Sequence, residues 1–321
     1  MSDVDRGDST HLPVLRILGT LAAVGLLVYL LVHQGWNEIL SAMQKISVWQ
    51  FLLAFVLTIA SRLAVSGRWY VLLRAACQPV SLWQAVRITF AGLFASNFLP
   101  TTIGGDVVRL GGALRLHCDH AVCLASLIVD RLVGMAGMAL AVPLALPAIL
   151  TRGLPMPSVN PIDEILLSAI PAGYPGFSSR LLAWLRRSIK RLVGACSLWV
   201  KKPDSLLFSF GFTAIHMLCH FAMIWIFLSA MSAPVPFSLI AGAWSLTYFI
   251  TLLPISINGL GLQELSTTVL FAGLGGISTS NALTLSVLIR LVQMLGSLPG
   301  ALFLSGTLAG EGRSRKDTKE M

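Results

Sequence analysis

Charged residues are scarce in this chain, making up 12% of its 321 residues, whereas 55% are hydrophobic and the mean hydropathy is +0.80. Soluble domains usually carry about 25% charged residues, so a soluble globular protein is excluded. Apolar stretches of about 20 residues, the length that crosses a bilayer as a helix, recur instead. The net charge of +9 suits cytoplasmic loops and anionic headgroups. No aromatic-basic pattern points to nucleic acid as a partner.

Familiar catalytic and metal-binding motifs are also missing. The sequence contains no GxSxG elbow, no GxGxxG and no P-loop, which argues against a serine hydrolase and against nucleotide binding. Its five cysteines are scattered and form no CxxC pair. His216 and His220 have the i, i+4 spacing of a zinc pair, but their segment HMLCH lacks the glutamate of a zinc protease. The sequence therefore predicts no cofactor, no metal and no enzymatic activity.

The stretch NFLPTTIGGDVVR interrupts an apolar helix and brings charge into the membrane. It runs from Asn97 to Arg109 and follows an apolar segment that starts at Trp83. Lipid cannot satisfy the backbone groups that such a break frees, so the break requires surrounding protein or a water-filled cavity. We therefore treat this stretch as a candidate binding site, formed by Asn97, Pro100, Thr101, Gly104, Gly105, Asp106 and Arg109.

A second break, ISINGLGLQE, follows the apolar run that ends at Pro254. Its candidate residues are Asn258, Gly259, Gly261 and Glu264. Each break precedes a long apolar helix with an arginine near mid-depth: Asp106 comes 25 positions before Arg131, and Glu264 comes 26 before Arg290. Matched broken segments in two halves are typical of transporter sites. We predict an all-α integral membrane protein of two repeats with broken or re-entrant helices and about six to eight membrane segments.

Arginines at membrane depth need partners, because burying an unpaired charged side chain at the bilayer centre costs roughly several kcal/mol of free energy. We predict the ion pairs Asp106–Arg131 and Glu264–Arg290. Asp130 and Arg131 are adjacent and about 100° apart on a helix, so different elements must satisfy them. The pairs can act as a structural lock. Alternatively, the arginines can hold a phosphate, which a guanidinium contacts bidentately.

The predicted organisation has three parts. Residues 1–46 form an N-terminal anchor helix and an interfacial segment, residues 47–310 form the membrane domain, and residues 311–321 form a charged tail. Within the membrane domain, repeat one covers about 48–150, a basic amphipathic linker 178–202, and repeat two about 205–308. Arg62 and Arg68, in the second apolar span and just after it, are expected to contact headgroups or the membrane surface, or in the case of Arg62 simply to extend to the interface.

These motifs give the chain a resemblance to a known family. The runs RWYVLLRAAC, NFLPTTIGGDVVRL and LLPISINGLGLQE, with Asp130–Arg131 and Arg290, resemble the lysylphosphatidylglycerol synthase transmembrane-region family, which includes the flippase portion of multiple-peptide-resistance proteins. The resemblance implies a multi-pass protein of the bacterial cytoplasmic (inner) membrane that translocates or carries a polar lipid. Together with the arginines, it leads us to expect a flippase-like translocase that moves a phospholipid or lipid-linked headgroup through a polar cleft, with anionic or phosphate-bearing lipids as partners. Only a short tail follows the last predicted helix, so we do not expect synthesis of lysyl-lipid.

Two other classes of function remain open at this point. One is a membrane-embedded lipid-modifying enzyme that uses Asp106 or Asp130 as a base. The other is an accessory or structural subunit of a lipid-glycan synthesis system. The oligomeric state and the identity of the lipid do not follow from the sequence.

Overall fold

The computed structural model describes residues 44–76, 80–98, 104–115, 119–153, 199, 202–253 and 256–308. Within these ranges every regular element is a helix. The α-helices are α1 (Val48–Ala76), α2 (Leu82–Phe98), α3 (Gly104–Leu114), α4 (His120–Ala141), α5 (Leu146–Arg152), α6 (Pro203–Ala230), α7 (Phe237–Thr251), α8 (Leu262–Gly273), α9 (Thr279–Ser297) and α10 (Pro299–Leu308). Short 3-10 turns cover Val142–Ala145 and Ile257–Gly259. The predicted all-α class is confirmed.

Four stretches of the described chain are long and apolar enough to cross a membrane: Val48–Ala76, His120–Arg152, Pro203–Ala230 and Thr279–Leu304. Helix α7 is apolar but shorter. The protein is therefore a multi-pass membrane protein. The predicted anchor helix, almost all of the basic linker and the charged tail lie outside the described residues, so the expected six to eight segments remain a prediction for the whole chain.

Both predicted breaks interrupt helices. Helix α2 ends at Phe98 and α3 begins at Gly104, and α7 ends at Thr251 before α8 begins at Leu262. Pro100, Thr101 and Pro254 themselves lie outside the described residues. The broken helices of the predicted fold are thus confirmed at both places.

The chain divides into two compact units that alternate along the sequence. Unit 1 comprises Met1–Ser47, Val142–Ser178 and Phe227–Leu288, and unit 2 comprises Val48–Ala141, Ser179–Ile226 and Ile289–Met321. The predicted repeats follow the sequence instead, and their correspondence remains a prediction.

In unit 2, α2 and α3 form a re-entrant hairpin. A Cβ atom added at Gly105 would meet the side chain of Ser96 and, at 2.6 Å, the carbonyl oxygen of Gly92, whereas one at Gly112 would meet Ile88. These contacts run in opposite directions along the two helices, so the helices are antiparallel. Helix α3 has 11 residues and is about 16 Å long, roughly half the hydrocarbon thickness. Helix α3 is therefore too short to cross a membrane, as expected for the predicted re-entrant segment.

Unit 2 also packs α1 against its neighbours along a stripe of small residues. Ala54, Thr58, Ser61 and Ala64 are all buried and recur at intervals of three or four, which places them on one face of the helix. Arg68 continues the same spacing and is buried with them. The stripe thus points an arginine at the interior of the unit.

In unit 1, the 3-10 turn before α5 lies against α7. A Cβ atom added at Gly242 would lie 2.7 Å from the Cβ of Ala145, so the close approach depends on glycine. The guanidinium of Arg152, the last residue of α5, donates to the carbonyl oxygen of Leu274 at 2.8 Å. This hydrogen bond ties α5 to the segment that follows α8.

Candidate functional site

An ion pair joins the re-entrant hairpin to α4. Arg131 Nη2 lies 2.8 Å from Asp106 Oδ2, as the sequence predicted. Both side chains are accessible, with exposures of 38% for Asp106 and 52% for Arg131. Arg131 is 11 residues after the first residue of α4, or roughly 17 Å along the helix, close to the middle of a bilayer. An exposed ion pair at that depth indicates a polar site.

The neighbouring carboxylate, Asp130, binds two buried arginines. Its side chain is 1% exposed and accepts from Arg68 Nε at 2.7 Å and from Arg109 Nη2 at 3.0 Å. The expected contact of Arg68 with headgroups or the membrane surface is therefore wrong, because its side chain faces the interior on the stripe of α1. Arg109, expected as a binding group in the first break, is likewise buried.

These side chains form one alternating chain of charges. Arg109 Nη1 is 3.9 Å from Asp106 Oδ1, so Asp106 stands between Arg131 and Arg109. The full order, from the exposed end inwards, is Arg131, Asp106, Arg109, Asp130 and Arg68. Three arginines and two aspartates leave a formal charge of +1. We call this set the ion chain.

Aromatic and polar neighbours hold the buried end of the ion chain. The guanidinium carbon of Arg109 lies 4.5 Å from the ring centroid of Trp69, and the Trp69 Nε1 donates to Ser126 Oγ at 3.3 Å. Arg68 Nη1 also donates to Thr213 Oγ1 of α6 at 3.4 Å. A guanidinium above an indole face gains a cation–π attraction. Trp69 thus fixes the arginine that connects the two aspartates.

An apolar groove opens beside the exposed end of the ion chain. Its volume is about 280 Å³, and six apolar side chains from α3 and α4 line it together with the Asp106–Arg131 pair: Val107, Leu110, Leu124, Leu127, Ile128 and Leu132. This volume is slightly below the range of about 300–1,000 Å³ that is usual for ligand clefts. A groove that combines aliphatic walls with an ion pair suits an amphiphile better than a wholly polar solute.

The second break is built differently. Asn258, Gly259 and Gly261 all have positive φ angles of 52°, 67° and 77°, a conformation that favours glycine and asparagine. The carboxylate of Glu264 is buried and accepts from the backbone N–H of Gly261 at 2.8 Å. Glu264 thus satisfies an unpaired donor at the start of its own helix.

The remaining predicted residues fall in several places. Glu264 belongs to unit 1 and Arg290 to unit 2, so their pairing stays a prediction. Asn97 Nδ2 donates to Ser297 Oγ at 3.0 Å within unit 2, which makes it a contact between α2 and the end of α9. Gly104 and Gly105 start α3 and permit its close approach to α2. The role of all these residues in binding stays a prediction.

The sequence contained a signal for the Arg68–Asp130 contact. The predicted ion pairs missed it because they joined each acid of a break to the arginine of the helix that follows. The small residues of α1 mark its buried face, and Arg68 lies on that face at the expected interval. A buried arginine needs an acid, and Asp130, which lies about 100° around the helix from the exposed Arg131, faces a different element. Helical periodicity would therefore have assigned Asp130 to Arg68.

These features define a multi-pass α-helical membrane protein with a charged site at membrane depth. The family model of the lysylphosphatidylglycerol synthase TM region matches residues 16–300. The chain belongs to this family, which confirms the resemblance carried by the two broken motifs and associates the protein with lipid-related function. A comparison with curated proteins gives no match.

Proposed function

We propose that this protein translocates a polar lipid with an anionic, phosphate-bearing headgroup across the bacterial cytoplasmic membrane. The observation that carries the proposal is the half-exposed Asp106–Arg131 pair at mid-depth, next to an apolar groove. Charges at that depth usually mark a substrate pathway. The headgroup contacts the ion pair, and the first part of the acyl chains lies along the apolar wall.

Charge balance favours an anion over a cation or a neutral headgroup. The ion chain carries one more positive than negative charge, and its exposed end is an arginine. A phosphodiester of charge −1 neutralises the set, and a guanidinium binds it through two parallel hydrogen bonds. A cationic headgroup would add to the excess.

Asp106 can release Arg131 to a lipid phosphate because a second arginine lies beside it. When a phosphate occupies Arg131, the carboxylate of Asp106 still has Arg109 on its other side, 3.9 Å away. The aspartate therefore keeps a positive neighbour with and without lipid. Binding and release then leave neither charge unpaired inside the membrane, where an unpaired charge is most costly.

A scrambling assay with purified protein in liposomes tests the proposal. Fluorescent phosphatidylglycerol should reach the opposite leaflet faster than in empty liposomes, and Arg131→Gln should reduce the rate at least tenfold. Arg74→Gln is the matched control, because Arg74 lies exposed at the end of α1 and donates only to Tyr70 among the described residues. Arg290→Gln examines the predicted second repeat in the same way.

Several outcomes would contradict the proposal. A wild-type scrambling rate no higher than that of empty liposomes would contradict lipid transport, provided that the protein elutes as a folded species. A chemically altered lipid after incubation would indicate a lipid-modifying enzyme instead. Full complementation by protein with both Asp106→Asn and Glu264→Gln would favour the accessory-subunit alternative.

A further inference from the structure

A second cluster of basic side chains lies in unit 2, away from the groove. Arg62 is 14 residues after Val48, or roughly 21 Å along the 29-residue α1, and therefore near its middle. The preceding residue, Ser61, has its Oγ 2.6 Å from Nδ1 of His216 on α6. The rings of His216 and His220 are 6.2 Å apart. Arg68, Arg62 and Asp130 are within electrostatic range of the His216 imidazole, and Arg62 is within range of His220.

Arg62 differs from the arginines of the ion chain. Arg68, Arg109 and Arg131 each have an aspartate oxygen within 3.0 Å. Among the described residues, the guanidinium of Arg62 makes no ion pair, and its buried Nε has no hydrogen-bond acceptor. A guanidinium at the middle of a spanning helix is costly without a negative partner. The described part of the chain supplies no such partner.

The chemistry of the cluster indicates which kind of ligand suits Arg62. A guanidinium offers five N–H donors, and a neutral imidazole offers one. When Ser61 donates to Nδ1 of His216, the ring proton of His216 lies on Nε2 and is available to another acceptor. Asp130 is within electrostatic range of His216, but its carboxylate is already bound by Arg68 and Arg109. Among the described residues, Arg62 therefore has donors around it and no carboxylate of its own, which disfavours a metal cation and favours an oxyanion.

We propose that Arg62, His216 and His220 form a second phosphate-binding site, between α1 and α6. This deepens the function proposed above and rests on it for the source of the phosphate, a lipid headgroup. Arg62 and His216 are half-buried, whereas His220 is buried behind them, so an anion would approach the cluster from the side of Arg62 and His216. An anion can therefore reach it without unfolding the helices.

A row of polar side chains links the two sites. Thr213 lies one turn before His216 on α6 and accepts from Arg68, the inner end of the ion chain. Phosphate positions thus occur at both ends of one polar row, at Arg131 and at Arg62. A lipid that moves along unit 2 would therefore meet Arg131 and Arg62 in succession. Each arginine can bind the phosphate of its headgroup.

Binding stoichiometry tests this site separately from transport. The probe is dihexanoyl phosphatidic acid, added to the full-length protein in detergent and counted by native mass spectrometry. We expect two equivalents on the wild type, one on Arg62→Gln, one on Arg131→Gln and none on the double variant. Arg74→Gln should keep two. Dihexanoylglycerol, which lacks the phosphate, should not bind at either site.

The outcomes separate the two proposals. Two equivalents retained by Arg62→Gln, or equal binding of dihexanoylglycerol, would overturn the second site. If the wild type binds a single equivalent and only Arg131→Gln loses it, the second site is overturned and lipid binding in the groove stands. If only Arg62→Gln loses the single equivalent, lipid binding in the groove is overturned instead. Equal occupancy by inorganic phosphate at the Arg62 site would assign it to a free anion and overturn the lipid source. Should Arg62→Gln fail to fold, His220→Gln must lose the same equivalent.

Discussion

Replacing Asp130 by asparagine removes the negative charge that Arg68 and Arg109 share. The carboxylate is 1% exposed, and its oxygens lie 2.7 and 3.0 Å from the two guanidinium groups. Removing one partner of a buried ion pair costs about 3–5 kcal/mol because the other charge stays desolvated. The asparagine carbonyl still accepts one hydrogen bond, so we expect a loss of about 3–5 kcal/mol even with two arginines affected.

Asp106→Asn is the matched control on the same ion chain. Asp106 and Arg131 are 38% and 52% exposed beside the groove. We expect water in the groove to solvate this pair, and water-exposed pairs contribute about 0–1 kcal/mol. The two changes are chemically identical, but Asp130 is buried and has two arginine nitrogens within 3.0 Å, whereas Asp106 is partly exposed and has one. The free energy of unfolding is measured in mixed micelles with increasing denaturing detergent. The loss caused by Asp130→Asn should be several times the loss caused by Asp106→Asn.

A double-mutant cycle identifies the source of the loss. Arg68→Met in the Asp130→Asn background should recover part of the lost stability, since it removes one stranded charge and leaves an apolar chain of similar length. Equal unfolding free energies for Asp130→Asn and Asp106→Asn would refute the reasoning. So would strictly additive effects in the cycle.

Three further substitutions test other parts of the fold. Gly105→Ala places a Cβ against the backbone of α2 and should cost about 1–3 kcal/mol through overpacking, whereas Gly111→Ala, with nothing within 4 Å, should not destabilise; equal melting temperatures would contradict the hairpin packing. Trp69→Phe removes an indole N–H and weakens the ring contact with Arg109, so unfolding should become easier by about 1–2 kcal/mol. Gly261→Ala forces a side chain into φ 77° and should cost about 1–3 kcal/mol, and a neutral result would show that the second break tolerates another backbone shape.

The helical class and both breaks were predictable from composition and local pattern. Long apolar runs have few solutions in a bilayer other than helices, and the Gly-Pro clusters interrupt those runs wherever they occur. The Asp106–Arg131 pair followed from the need of a mid-depth arginine for an acid. Each of these inferences used only neighbouring residues or a general rule on charge in membranes.

The Asp130 contacts were harder to predict because they join helices far apart in the sequence. Arg68 and Asp130 are 62 positions apart, and the basic cluster at the end of the second predicted span suggested a membrane surface. Burial of Arg68 depends on the rotation of α1, which its small residues determine through packing. The partition into units that alternate along the chain also depends on contacts that no local pattern contains.

The central claim is that a phosphate-bearing lipid occupies the groove between α3 and α4. It is tested most directly by a photo-crosslinking amino acid at Ile128, inside the groove, compared with one at Leu140, which is 77% exposed on the same helix. After irradiation in native membranes, mass spectrometry identifies the attached lipids. We predict enrichment of phosphate-bearing anionic lipids at Ile128 over Leu140, and loss of that enrichment with Arg131→Gln. The same lipid mixture at both positions, or no lipid at Ile128, would contradict the claim.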